Sequence, residues 1–257
     1  MSRLPAITGW LWIKQGFILF RKQPAILTML LFATLLFSLA LSAIPLLGQM
    51  ITMVLVPSFS VAILQACRLI AQDQPVTPAV LLTGMRQPAL RRLCKLGLIY
   101  LALSILLGVL LALMVSPEFI KQMSMPLAER ANLKISTADM RAVLLTGLLQ
   151  SLALLALCFA PALTYWQQMS PGKATFYSVF GIIGAIRPFM VMLLAWSAMF
   201  FGSAIAVMLL LGDSQGGRIA VIWLMLQFVL LLQCAIFCSY RQIFGDPSLL
   251  PTDAALR

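Results

Sequence analysis

An all-α, polytopic membrane bundle of six transmembrane helices, with short cytoplasmic interfacial helices, is the fold this 257-residue chain predicts. Three observations carry it. Hydrophobic residues make up 62% of the chain and charged residues only 10%, against about 25% charged in a soluble domain. Six segments have the length and apolarity a bilayer crossing needs, about 20 residues at 1.5 Å each. The basic residues then divide unequally between the two sides of those segments.

The spans are expected at about 25–48, 49–67, 97–115, 142–166, 188–212 and 219–240. The first two come from one charge-free stretch, Pro24 to Cys67, which is too long for a single crossing. Ile44-Pro45-Leu46-Leu47-Gly48 supplies the turn in its middle. Pro57 and Pro161 fall inside the second and fourth spans, where a missing N–H bends a helix. Such bends serve packing or shape a cavity. Ahead of the first span, Lys14, Arg21 and Lys22 interrupt the apolar run, so no cleavable signal peptide is expected.

Short stretches of similar punctuation precede each pair of spans. They are GFILFRKQP (Gly16 to Pro24), GMRQP (Gly84 to Pro88) and GAIRP (Gly184 to Pro188). In each case a proline opens a short helical stretch (Pro5, Pro78, Pro171), and a glycine, a basic residue and a second proline close it. Pro24, Pro88 and Pro188 are therefore read as hinges, because the residue before a proline is biased out of the helical region. The pattern predicts three parallel units over 5–75, 76–168 and 169–240, followed by a cytoplasmic tail over 241–257. Each unit is an interfacial helix followed by a helical hairpin.

The first interfacial helix is amphipathic. At about 100° per residue, Lys14, Gln15, Arg21 and Lys22 share an arc of about 120°, into which Leu11 and Ile18 intrude. Anchoring at the interface and recognition of an anionic lipid are both open to such a helix. Within the spans, small residues recur four apart at Thr34, Ser38 and Ser42, at Ser104, Gly108 and Ala112, and at Ala198, Gly202 and Ala206. That spacing predicts close helix packing, with the odd-numbered spans central.

The net charge of +11 invites a nucleic-acid reading, but its placement argues for membrane topology. With both termini cytoplasmic, 13 Lys and Arg lie inside and five lie outside (Lys121, Arg130, Lys134, Arg141 and Arg218). Lys14, Arg21, Lys22, Arg86, Arg91, Arg92 and Arg187 are the inner residues expected to meet anionic headgroups. The expected partners are thus the bilayer itself and a membrane protein or second copy, with no nucleic acid. The loop from Ser116 to Arg141 is the one sizeable outer connection, and Ser136 with Asp139 resembles a capping box opening the fourth span.

The chain contains no histidine, which removes histidine-based catalysis and histidine metal ligands. Seven carboxylates are expected in loops or the tail, away from membrane depth, where a proton relay would need them. Five cysteines lie in or near spans and none in the outer loop, so no disulfide framework is indicated. Cys234 and Cys238 share a face but lack further ligands nearby. Gln49, Gln65, Gln150, Gln227 and Gln233 are the strongest in-span polar groups, suited to interhelical hydrogen bonds or to lining a pore. Catalytic residues, cofactors and metals are expected to be none.

The segments GWLWIKQGFILFRKQP, IPLLG, VPSFSVAILQACR and PVTPAVLLTG resemble an uncharacterised family of proteobacterial inner-membrane proteins, most specifically over residues 9–84. More distantly, the chain is similar to the membrane domain fused to some glycerophosphodiester phosphodiesterases. The resemblance implies the bacterial inner membrane and supplies no catalytic residues. The function expected is a non-catalytic scaffold or accessory subunit that organises a partner or lipid. The alternative is a channel or carrier for a neutral or lipid-like solute.

Overall fold

The computed structural model describes residues 4–45, 47–123, 136–212 and 214–246. Among them the regular elements are helical, and six helices have the length and hydropathy to cross a membrane. Helix α1 (Thr8–Lys22) precedes the first hairpin, α2 (Pro24–Ser42) and α3 (Leu47–Ala71). A 3-10 segment, Pro78–Met85, leads into α4 (Ala89–Met114), and α5 (Pro117–Met123) follows. The fourth span is built from α6 (Thr137–Ala156) and α7 (Ala160–Trp166). Helix α8 (Pro171–Gly184) then introduces α9 (Ile186–Leu211) and α10 (Gln215–Phe244).

The boundaries depart from the sequence expectation where local chemistry explains it. Helix α4 begins at Ala89 rather than near 97, because Arg91, Arg92 and Lys95 ride on its first turns with Arg91 and Lys95 pointing outward. Pro161 does more than bend the fourth span: Leu157 to Phe159 leave the helix and α7 restarts with the proline in its first turn. Pro57, by contrast, lies inside an uninterrupted α3. The second interfacial stretch is 3-10 rather than α-helical. Of the long loop, the first part forms α5, and residues 124–135 lie outside the described residues, as do 247–257 of the tail.

The three prolines read as hinges stand at or near the starts of α2, α4 and α9. Gln23 (φ −144°, ψ 64°) breaks the chain between α1 and α2, with Pro24 opening the latter. Pro88 is the residue before α4. At the third site the bend falls at Ala185 (φ −115°, ψ 25°), and Pro188 lies within the first turn of α9. Arg187 is therefore helical despite preceding a proline, which is tolerated because a first-turn N–H has no intrahelical acceptor to lose.

Burial is concentrated at one end of the bundle, the end carrying α1, the 3-10 segment and α8. Buried positions on α2 run from Leu27 to Thr34, on α4 from Leu93 to Tyr100 and on α9 from Pro188 to Met192. On α3 they resume at Pro57, and on α10 at Leu230. The opposite halves carry leucines open to the surroundings, such as Leu209 and Leu210 at 81% and 83% exposure. In lipid this exposure costs nothing, since acyl chains are as apolar as the side chains themselves.

Aromatic rings knit the buried end together. Phe159 packs edge-on against Phe189, Tyr240 and Phe244, with centroids 5.4–6.1 Å apart. Trp12 meets Phe189 at 5.4 Å, and Trp166 meets Tyr240 at 4.9 Å. Helix α1 lies along α10 and α9, the 3-10 segment along α3, and α8 along α7. Each interfacial element thus rests on the second span of the preceding hairpin, and α1, which has none before it, rests on the last.

The small-residue rows do not pack as the spacing suggests. A Cβ added to Gly108 or Gly202 would meet nothing within 4 Å, and Ala112 and Ala206 are exposed as well. Gly108, Ala112, Gly202 and Ala206 sit on the unburied halves of α4 and α9, whereas Ser104 meets a neighbouring helix through Gln150. Ser38 and Ser42 turn their hydroxyls back to the carbonyls of Thr34 and Ser38 in α2. The close approaches instead occur at Gly9, where a Cβ would lie 2.0 Å from Pro188 O, at Gly16, 2.8 Å from Ala235 N, and at Gly97, 2.0 Å from Val54 O.

Candidate functional site

The buried face of α1 consists of Thr8, Gly9, Trp12, Ile13, Gly16 and Leu19, a helical stripe that seats it on the last hairpin. Its remaining surface carries Lys14, Gln15, Arg21 and Lys22, all exposed. Between α1 and the end of α10 runs a groove of about 530 Å³. Helix α1 contributes Leu11, Gln15, Ile18, Leu19 and Lys22 to its wall, and α3 contributes Ala71. The other wall is Phe237, Cys238, Arg241, Gln242 and, just past the helix, Asp246. Leu11 and Ile18, which intrude on the basic arc in the sequence, become the apolar lining between polar ends.

The charges in this groove are positioned rather than loose. Lys22 Nζ lies 2.7 Å from Asp73 Oδ1, on the turn after α3. Arg241 Nη2 lies 2.8 Å from Asp246 Oδ2, and its guanidinium sits 5.9 Å from the centroid of the Phe237 ring. Lys22 and Arg241 keep 41% and 44% of their side chains exposed, so each retains donors for a further acceptor. Gln242 is fixed from below by the Trp12 indole N–H, donating to its Oε1 at 2.6 Å.

The other expected headgroup contacts scatter around the same end. Arg21 lies 5.8 Å from the centroid of the Phe17 ring. Arg86 and Arg91 are exposed. Arg92 donates to the main-chain carbonyl of Gln168 at 3.1 Å and to its side-chain oxygen, tying α4 to the segment after α7. Arg187 borders a smaller groove of about 250 Å³ with Leu4, Ile183, Gly184, Ile186 and Pro188. The structure therefore places Lys22 and Arg241 on one groove, whose lining does not include Arg86, Arg91, Arg92 or Arg187. Arg241, Gln242 and Asp246 went unnoticed as site residues in the sequence. The signal available was the single basic residue in the last turn of α10, with an acid five residues on.

Several polar groups within the spans bind helices to one another, while the hydroxyls of Thr34, Ser38, Ser42, Thr52, Ser151 and Ser203 turn back to their own helices. Trp166 Nε1 donates to Gln65 Oε1 at 3.0 Å, Thr28 Oγ1 to Gln227 Oε1 at 3.3 Å, and Gln150 Nε2 to Ser104 Oγ at 3.4 Å. Tyr100 donates to the carbonyl of Leu157 at 2.8 Å, across the break in the fourth span. Ser178 supports the same break, donating to Ala156 O at 2.7 Å and accepting from Phe159 N–H at 3.2 Å. Cys67 and Cys234 are buried with their sulfurs 3.5 Å apart between α3 and α10, and all five cysteines are free thiols. At the far end Asp139 lies on the first turn of α6 rather than in a loop. Ser136 Oγ accepts from its N–H at 3.0 Å, and its carboxylate accepts from Ser116 N–H at 2.7 Å.

Six apolar helices with a core at one end define an integral, multi-pass membrane protein in contact with the lipid bilayer. The chain is 29% identical over 253 residues to a probable inner membrane protein of Burkholderia thailandensis, covering 95% of this chain and 94% of that protein. No family model and no solved structure matches the chain.

Proposed function

We propose that the protein is a non-catalytic component of the bacterial inner membrane that organises lipid or a membrane-protein partner at its basic end, with both termini cytoplasmic. The observation that carries this reading is where the polar groups go. Gln65, Gln150, Gln227, Trp166 and Tyr100 tie spans together, while most of the described cations stand at one end of the bundle. The likeness to the Burkholderia inner membrane protein supports the compartment. The distant resemblance to the membrane domain of glycerophosphodiester phosphodiesterases belongs to the same lipid-facing reading. So does the division into three parallel units, supported by the way α1, the 3-10 segment and α8 each rest on a second span.

Reconstitution tests it. Purified protein in liposomes should neither move a solute nor convert a lipid, and mild-detergent purification from native membrane should retain lipids or a protein partner. Substrate turnover by the protein alone would overturn the reading.

The break at Leu157–Phe159 favours, as a second reading, a carrier for a neutral or lipid-like solute. Against it stands the aromatic cluster around Phe159, which fills the centre of the buried end. Solute flux abolished by enlarging side chains near Phe159 would favour the carrier.

A further inference from the structure

We propose that the groove between α1 and α10 is a discrete binding site for one phospholipid whose headgroup is an anionic phosphodiester with a hydroxyl donor, of the phosphatidylglycerol type. The inference rests on the lipid-organising reading above and gives it a site and a lipid class.

The groove has the two chemistries such a lipid requires, in the right order. Leu11 and Ile18 on α1 face Phe237 on α10 and form an apolar wall along which the first carbons of an acyl chain can lie. Lys22 and Arg241 stand on opposite walls, both half-exposed and each paired with an acid, Asp73 and Asp246 respectively. A phosphate between them would accept from an ammonium and a guanidinium without either cation first being ordered, which lowers the entropic cost of binding. Asp246 lines the same groove and offers acceptor oxygens to a hydroxyl beyond the phosphate. The lining's two cations and one acid sum to +1, with Asp73 bound to Lys22 just outside the lining, and a phosphodiester of −1 balances the lining itself. The volume of about 530 Å³ lies within the usual range for small-molecule pockets, about 300–1,000 Å³. Diffuse attraction between a basic surface and an anionic leaflet would need none of these features. It would draw equally on Arg86 and Arg91, which are not among the residues lining this groove.

The test is native mass spectrometry of the full chain in mild detergent with added dioleoyl-phosphatidylglycerol. Parallel titrations use dioleoyl-phosphatidylethanolamine and free glycerol phosphate. We expect one tightly retained phosphatidylglycerol, with binding at least tenfold weaker in Lys22→Gln/Arg241→Gln. The charge-matched control Arg86→Gln/Arg91→Gln should stay within twofold of the parent. Arg241→Lys in the Lys22 background should bind between these limits, and thermal unfolding of each variant shows that it is folded. Equal loss in the two double variants would overturn the site in favour of diffuse electrostatics. Equal retention of phosphatidylethanolamine would overturn the headgroup assignment. Displacement by free glycerol phosphate at comparable concentration would overturn the assignment to a lipid. None of these outcomes touches the non-catalytic reading, which fails only if the protein alone turns over or transports a substrate.

Discussion

The indole N–H of Trp12 donates to Oε1 of Gln242 at 2.6 Å, joining the first helix to the last across 230 positions of sequence. Trp12 is fully buried, and its ring also packs edge-on against Phe189. One side chain thus closes the bundle by apolar area and by a hydrogen bond. Trp12→Ala should lower unfolding stability in detergent by about 3–5 kcal/mol, the usual cost of emptying a large aromatic site. Trp12→Phe keeps much of the packing and loses only the hydrogen bond to the exposed Gln242, so it should cost about 0.5–1.5 kcal/mol. Chemical unfolding in one detergent separates the two losses.

Glycine substitutions separate helix contacts from open faces. At Gly9 and Gly16 an added methyl meets backbone of α9 and α10, which cannot rotate away as a side chain would. Gly9→Ala and Gly16→Ala should each destabilise by about 1–3 kcal/mol. Gly108→Ala and Gly202→Ala meet nothing in the protein and should be neutral, or more stable by up to about 1 kcal/mol through helix propensity. Thermal unfolding of the four variants in one detergent distinguishes the pairs. A loss at Gly108 or Gly202 that depends on protein concentration would reveal a partner or second copy on that row.

At the opposite end Asp139 accepts from Ser116 N–H, Ser116 Oγ and Ser136 Oγ, holding the end of α4 against the start of α6. Asp139→Ala leaves the Ser116 N–H without its acceptor and should cost about 1–3 kcal/mol. Ser136→Ala removes the cap alone and should cost about 1 kcal/mol. Because both changes act on one network, the double variant should lose less than their sum, which a double-mutant cycle measures.

Hydropathy and charge placement made the six spans legible, because bilayer thickness fixes helix length and the turn residues at Pro45 and Gly48 are local signals. The Ser136–Asp139 cap and the breaks at Gln23 and Pro88 were readable for the same reason. The groove was not. Its walls come from residues more than 200 positions apart, and nothing in the run from Leu11 to Lys22 states that α10 lies beside it. The glycines show the same limit from the other side. Gly108 and Gly202 repeat with the spacing of a packing seam, yet the contacts form at Gly9, Gly16 and Gly97, because close approach depends on which half of each helix has a neighbour.

Orientation is open to a direct test. The end built from α1, the 3-10 segment and α8 carries Lys14, Arg21, Lys22, Arg86, Arg91, Arg92 and Arg187, whereas α5 and the start of α6 carry Lys121 and Arg141. Each Lys or Arg near an anionic cytoplasmic leaflet is worth about 1 kcal/mol, so the imbalance should fix the basic end inside. Glu118, exposed on α5, should react from outside when replaced by cysteine and treated with a membrane-impermeant maleimide on spheroplasts. Lys14→Cys, exposed on α1, should react only after permeabilisation. The native thiols give the background to subtract, and the buried Cys67 and Cys234 should contribute little to it. The causal role of charge follows from one further variant. Replacing Arg21, Lys22, Arg86, Arg91, Arg92 and Arg187 together with glutamine should yield a mixed population in which both probes label from either side. If the Glu118→Cys probe stays uniformly external in that variant, these six residues do not by themselves set the topology.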